Sequence, residues 1–186
     1  MYQPHVIDSM EIKRNSIILL VFAILALNPG CNKDNRTELF ELNHIVDFVI
    51  PPGLNTFDTH FFIIPQVNSQ VDDQLQATGL SPEVIASIEP KFCRLSTIFE
   101  DEDLDFIRVV EVRVIDPFNS DFQREVFYLD PVVPNTKKVI RPFPGLADVK
   151  EILSKPSFAV EIRLLFRNPP PASFEMRLSM ELAAFQ

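Results

Sequence analysis

Apolar and polar residues alternate with period two over long stretches of this chain, the pattern of a strand with one buried face and one wet one. Phe158, Val160, Ile162, Leu164 and Phe166 fall on one side, with Glu161, Arg163 and Arg167 on the other. Pro169, Pro170 and Pro171 then forbid a ladder, since proline has no N–H to donate. The alternation resumes with Phe174, Met176, Leu178, Met180 and Leu182 against Glu175, Arg177, Ser179 and Glu181. The spacing predicts two strands forming a terminal antiparallel pair. Phe40, Leu42, Val46, Phe48 and Ile50 repeat the pattern upstream, opposite Glu41, Asn43 and Asp47, until Pro51, Pro52 and Gly53 close it.

Between these ends the pattern is less regular. A second strand is predicted from about Asn55 to Ile64, halted by Pro65, and a third from Phe92 to Phe99. Val71 and Leu75 sit four apart before Gly79, a helix with a glycine cap, and Ser81-Pro82 opens a short helix through Val84, Ile85 and Ile88 that Pro90 stops. From Leu104 to Ile115 the alternation slips once, because Ile107 and Val109 share a face while Val110, Val112 and Val114 take the other. An extra residue near Val109 or Val110 restores the register, so this segment reads as a bulged central strand. Shorter strands follow at Glu125 to Leu129 and Lys137 to Arg141, and a helix from Leu146 to Ser154 turns Leu146, Val149 and Leu153 inward. About eight strands with two or three short helices predict an all-β, immunoglobulin-like antiparallel β-sandwich spanning residues 37–186.

The amino end has a different texture. Ile17 to Leu27 is an unbroken apolar run of eleven residues behind Lys13 and Arg14. A helix of that length rises only about 16 Å, half of what a bilayer core requires, so the run matches a signal peptide and not a span. Residues 1–30 form that leader, with Met10 an alternative start. Gly30-Cys31 at its end resembles the cleavage box of bacterial lipoproteins processed by signal peptidase II, although Asn28 stands where that family prefers Leu. The resemblance implies cleavage before Cys31 and acylation of that cysteine, with residues 31–36 a polar tether. Lys33 and Asp34 also resemble the Lys-then-acidic export signal of Bacteroidota lipoproteins. The resemblance thus implies a lipid-anchored protein of the outer membrane, on its periplasmic or outer face. The other reading of the two cysteines is plain secretion with a Cys31–Cys93 disulfide.

Composition narrows the function classes. Loss of residues 1–30 removes two basic and two acidic side chains, so the formal charge stays at −9. A surface of that sign repels nucleic acid, and no basic stripe offsets it. Seventeen Phe accompany no Trp and two Tyr, of which Tyr2 lies in the leader, so only Tyr128 offers a stacking ring with a polar handle. A carbohydrate-binding module therefore requires Tyr128 on an exposed face.

Candidate chemistry is sparse. His44 falls in register with the buried face of the first strand. His60 shares a face with Asp58, half of a metal site or the core of an unmotifed hydrolase site. Cys93 lies among apolar residues, where burial raises a thiol pKa and makes it inert. Asp101, Asp103 and Asp105, within the acidic run from Glu100, mimic the first ligands of a calcium loop, but Phe106 replaces the turn glycine and Val112 the bidentate Glu. Neither a nucleophile elbow nor a phosphate-cradling loop occurs, and no cofactor is implied. The sequence reads as a non-enzymatic envelope lipoprotein, a binding or structural module for an envelope protein or a glycan. An envelope hydrolase and a carbohydrate-binding module are the alternatives.

Overall fold

The period-two segments become strands whose apolar faces meet in one core. In β1 (Glu38–Ile50) Leu42, Val46 and Ile50 are buried while Glu41, Asn43 and Ile45 face water. The computed structural model describes residues 36–99, 102–135 and 138–186. After β1 come β2 (His60–Asn68), α1 (Val71–Thr78), a 3-10 turn (Pro82–Val84), β3 (Ser87–Thr97), β4 (Ile107–Asp116) and β5 (Asn119–Leu129). The two-residue strands β6 (Val139–Ile140) and β7 (Phe143–Pro144), the single-turn α2 (Lys150–Leu153), β8 (Ser157–Phe166) and β9 (Phe174–Phe185) complete the order. Two antiparallel sheets result, one ordered β1-β9-β3-β6 and the other β2-β8-β4-β5-β7. The expected all-β sandwich is what this chain builds, and its layering is immunoglobulin-like.

Several local expectations hold. Val71 and Leu75 are buried on α1, and Gly79 caps it at φ 69°, the left-handed region that glycine enters without strain. The bulge in β4 exists as well. Pairing with β8 slips between Ile107 and Val109, and β4 lies at the centre of its sheet with Ile107, Val110, Val112 and Val114 all buried.

Other expectations are corrected. The two terminal strands do not pair with each other: β8 joins β2 and β4 in one sheet, and β9 joins β1 and β3 in the other. The proline-rich link between them carries the chain across the sandwich, and Pro170 anchors it by accepting the Gly53 N–H at 3.0 Å. Pro65 does not halt β2. This strand is an edge strand, and its pairing with β8 shifts between Ile64 and Val67, so the missing N–H falls at a bulge. Residues 55–58 form a turn instead, because the Asn55 side-chain oxygen accepts the N–H groups of Phe57 and Asp58. Pro90 likewise lies inside β3, at a register shift in its pairing with β9, so Ile88 is a strand residue and the helix before it shrinks to the 3-10 turn. Downstream, α2 is one turn long. Val149 and Leu153 are buried as expected, but Leu146 is fully exposed.

Strand β9 makes the largest demand on the sequence. Leu178 is fully buried and sits opposite Val46 on one side and Leu95 on the other. Burying such a side chain contributes about 1.5–3 kcal/mol. Leu178→Ala should cost about 2–5 kcal/mol in urea unfolding, since the cavity adds to the lost transfer energy. Ending the chain at Pro171 should abolish both the near-ultraviolet circular dichroism and the cooperative melt, whereas starting it at Arg36 should preserve them. A cooperative melt from the Pro171 truncation contradicts this placement of the core.

Candidate functional site

The residues flagged by the sequence do not assemble into one site. Cys31 and Asp101 lie outside the described residues. Asp103 is exposed and Asp105 half-buried, while Leu104 and Phe106 between and after them turn into the core. Among the described residues no group of three or more His, Cys, Asp or Glu side chains is placed to hold a metal ion. Asp58 and His60 do not face each other, because β2 begins only at His60 and Asp58 belongs to the preceding turn. Asp58 accepts the Asn55 side-chain amide at 2.9 Å, whereas the His60 ring meets the Asn55 carbonyl at 2.9 Å and stacks on Phe166. Cys93 is wholly enclosed between the sheets, and burial pushes its thiol pKa up.

A surface that the sequence did not single out is the outer face of the five-stranded sheet. Cross-strand register sets Phe61, Arg163, Glu111 and Tyr128 in one row and Ile63, Glu161, Arg113 and Glu125 in the next. Arg163 pairs with Glu161 and lies 3.6 Å from Glu111, which also pairs with Arg113. Gln123 accepts from both guanidinium groups at 3.3 Å. The charges are sunk among the strands, with the Glu161 residue only 7% exposed. Burial first, and the neighbouring Glu111 second, raise the Glu125 pKa above the usual carboxylate range. Apolar side chains flank this ion lattice on both margins. Phe61, under the Arg163 guanidinium at 5.1 Å, and Ile63 are exposed on one side, and Tyr128 and Phe143 on the other. The Tyr128 hydroxyl donates to Asp130 at 3.2 Å. Alternation along β4 and β8 marked these charges as outward but could not tell which of them sit side by side.

Where β1 and β2 run along the same flank of the sandwich, the sheet edges part around a cleft of about 400 Å³. Val46, Ile64 and Val67 give it apolar walls, and Gln66, Asn68 and Gln70 a rim of carboxamides. His44 forms part of the wall. The residue is 2% exposed, its ring stands edge-on to Phe158 at 5.1 Å, and neither ring nitrogen meets a protein partner. Burial holds its pKa at about 4, so the imidazole is neutral at physiological pH. Asp47 lines the same cleft but is committed to Arg177, which binds it through two contacts of 2.8 Å.

No protein-family model matches the chain, and a search of curated proteins returns no match either.

The buried imidazole makes stability depend on pH. His44 takes up a proton near pH 6.5 when unfolded and only near pH 4 when folded, so between these values unfolding binds a proton. Its contribution is therefore fully present above pH 6.5, is lost as pH falls toward 4, and levels off below. The shift corresponds to about 3 kcal/mol. Urea unfolding at neutral pH and near pH 4 should show His44→Phe losing less stability on acidification than the parent by about that amount. Equal losses in both proteins refute the assignment.

Proposed function

We propose that this chain is a lipid-anchored protein of the bacterial cell envelope, whose β-sandwich binds an envelope protein without acting on it chemically. The observation that carries this reading is the outer face of the five-stranded sheet. An ion lattice in which Arg113 and Arg163 pair with Glu111 and Glu161 occupies its centre, and exposed Phe61, Ile63, Tyr128 and Phe143 frame it. Exposed apolar side chains around a rigid polar centre suit a protein surface, because apolar contacts supply affinity while fixed charges select the partner. Glu111 and Glu161 are engaged with arginines, unlike the carboxylates of a hydrolytic pair that must be free to take and give protons.

Enclosure of Cys93 supports lipidation of Cys31 over a disulfide between the two, since a partner sulfur would have to enter the core to reach it. Among the described residues no helix is long and apolar enough to cross a membrane, so attachment rests on the leader and its cysteine.

Two measurements test the two halves of the reading. Cys31→Ser should move the protein from the detergent phase to the aqueous phase and block signal peptidase II processing. Unchanged partitioning removes the anchor. A photocross-linking residue at position 61 or 143 in intact cells should give one discrete adduct, which Ile63→Glu abolishes without lowering the melting temperature. Failure of both positions to cross-link, in a protein still held at the membrane, removes the binding face and leaves the anchor standing.

A further inference from the structure

The outer face of the five-stranded sheet is complementary to itself. Along its centre β8 carries Leu165, Arg163, Glu161 and Ala159 on this side, and β4 sets Val109, Glu111, Arg113 and Ile115 beside them. Each arginine thus stands next to a glutamate, and each apolar residue next to an apolar one. Turning the face over about a line between the two strands, parallel to both, exchanges the two columns. A second copy related by that dyad sets Arg163 against the partner's Glu111, and Glu161 against the partner's Arg113. Leu165 then meets the partner's Val109, Ala159 the partner's Ile115, and Phe61 on β2 the partner's Tyr128 on β5. Contacts of this self-complementary kind are the commonest basis of protein dimers. Glu125, opposite the partner's Ile63, is a mismatch that falls at the margin.

Loss of hydration decides whether charged faces can associate. Here most of it is lost already, since the side chains of Arg113, Arg163, Glu111 and Glu161 are at most 27% exposed within the single chain. Phe61, Ile63, Tyr128 and Phe143 add exposed apolar area around them. Four strands of about ten residues, at about 4.8 Å spacing and 3.3 Å rise, offer roughly 600 Å² of flat face. That is close to the roughly 800 Å² that each partner contributes to a standard interface.

The same checkerboard also fits a dyad perpendicular to the strands, which sets Arg163 against the partner's Glu161. The anchor separates the two arrangements. The chain enters the sandwich at Arg36, at the end where β2 stops and β8 starts. Cys31 lies five positions earlier, a reach of at most about 18 Å, so a lipid on that residue holds this end towards the bilayer. A dyad parallel to the strands leaves both Arg36 residues at one end, as two lipids in one leaflet require. The perpendicular dyad puts them at opposite ends.

We propose, resting on the protein-binding reading of this face, that its partner is a second copy of the same chain, paired about a dyad parallel to β4 and β8. The test exchanges charges in the full chain at the membrane. Copies bearing two different affinity tags are co-expressed, extracted in detergent and captured through one tag, and the parent should retain its own kind. Arg163→Glu creates like charges at both central contacts of a pair, and Glu111→Arg does so with the opposite sign. Each variant alone should therefore lose self-capture about tenfold or more. Co-expressed together, the two variants restore opposite charges at both contacts, and capture should return. The perpendicular dyad cannot be rescued in this way, because Arg163→Glu would still face the partner's Glu161.

A photocross-linking residue at position 61 of the parent gives a second measurement, which decides alone if either variant melts well below the parent. Its adduct should have twice the mass of the chain and join position 61 to the segment around Tyr128. The proposal is overturned if the parent does not capture itself, if the folded single variants do so as well as the parent, or if the folded pair fails to restore capture. An adduct with a different protein also overturns it but leaves the protein-binding face standing, whereas no adduct from position 61 or 143 removes both.

Discussion

The whole arrangement depends on β9 lying between β1 and β3. Neither neighbour pairs with the other, so the four-stranded sheet has no continuity without this strand, and both ladders close only when it docks. β9 meets β1 across a sequence separation of more than a hundred residues, a contact that delays folding because loop-closure entropy is lost before burial repays it. The core cannot be completed in the order in which the chain is made. Its inward residues, Phe174, Met176, Leu178, Met180 and Leu182, are correspondingly apolar without exception.

Much of this was legible in the residues. Period-two alternation identified β1, β8 and β9 with their buried faces, and the slip near Val109 located a real bulge, because each signal is local and depends only on which face meets the core. Pairing partners were not legible. The three prolines at positions 169–171 were rightly read as a break, but a break serves equally a hairpin between β8 and β9 or a crossing between sheets, and only the free edges of other strands decide. The misplaced boundaries of β2 and β3 share one cause. Pro65 and Pro90 read as stops in the sequence, whereas a bulge tolerates a residue that lacks an N–H. Leu146 shows the reverse error, in which an apolar residue in helical spacing was assigned to a core it does not reach.

The candidate surfaces were harder to foresee, since each depends on register between distant strands. Arg163 and Glu111 are separated by fifty-two positions in the chain and meet only because β8 and β4 align them. His44 lies on the buried face of β1, as its register implies, but the cleft beside it is built by β1 and β2 together and no local pattern marks it. Electrostatics follows from the same packing. Charges near the surface of β4 and β8 have opposite partners beside them, while the enclosed imidazole, with no such partner, gives up its proton.

Adjacency of β1 and β9 also has a mechanical consequence. Glu38 lies opposite Phe185, and the far end of the ladder, where Ile50 meets Phe174, is about 40 Å away at the rise of an extended strand. Tension applied to both strands at the Glu38–Phe185 end would peel the ladder open one pair at a time. Tension entering at Glu38 and resisted by the loops beyond Ile50 and Phe174 would act along β1, so that slippage against β9 must break the ladder's bonds together. The same sheet is therefore weak to a pull in one direction and strong to a pull in the other.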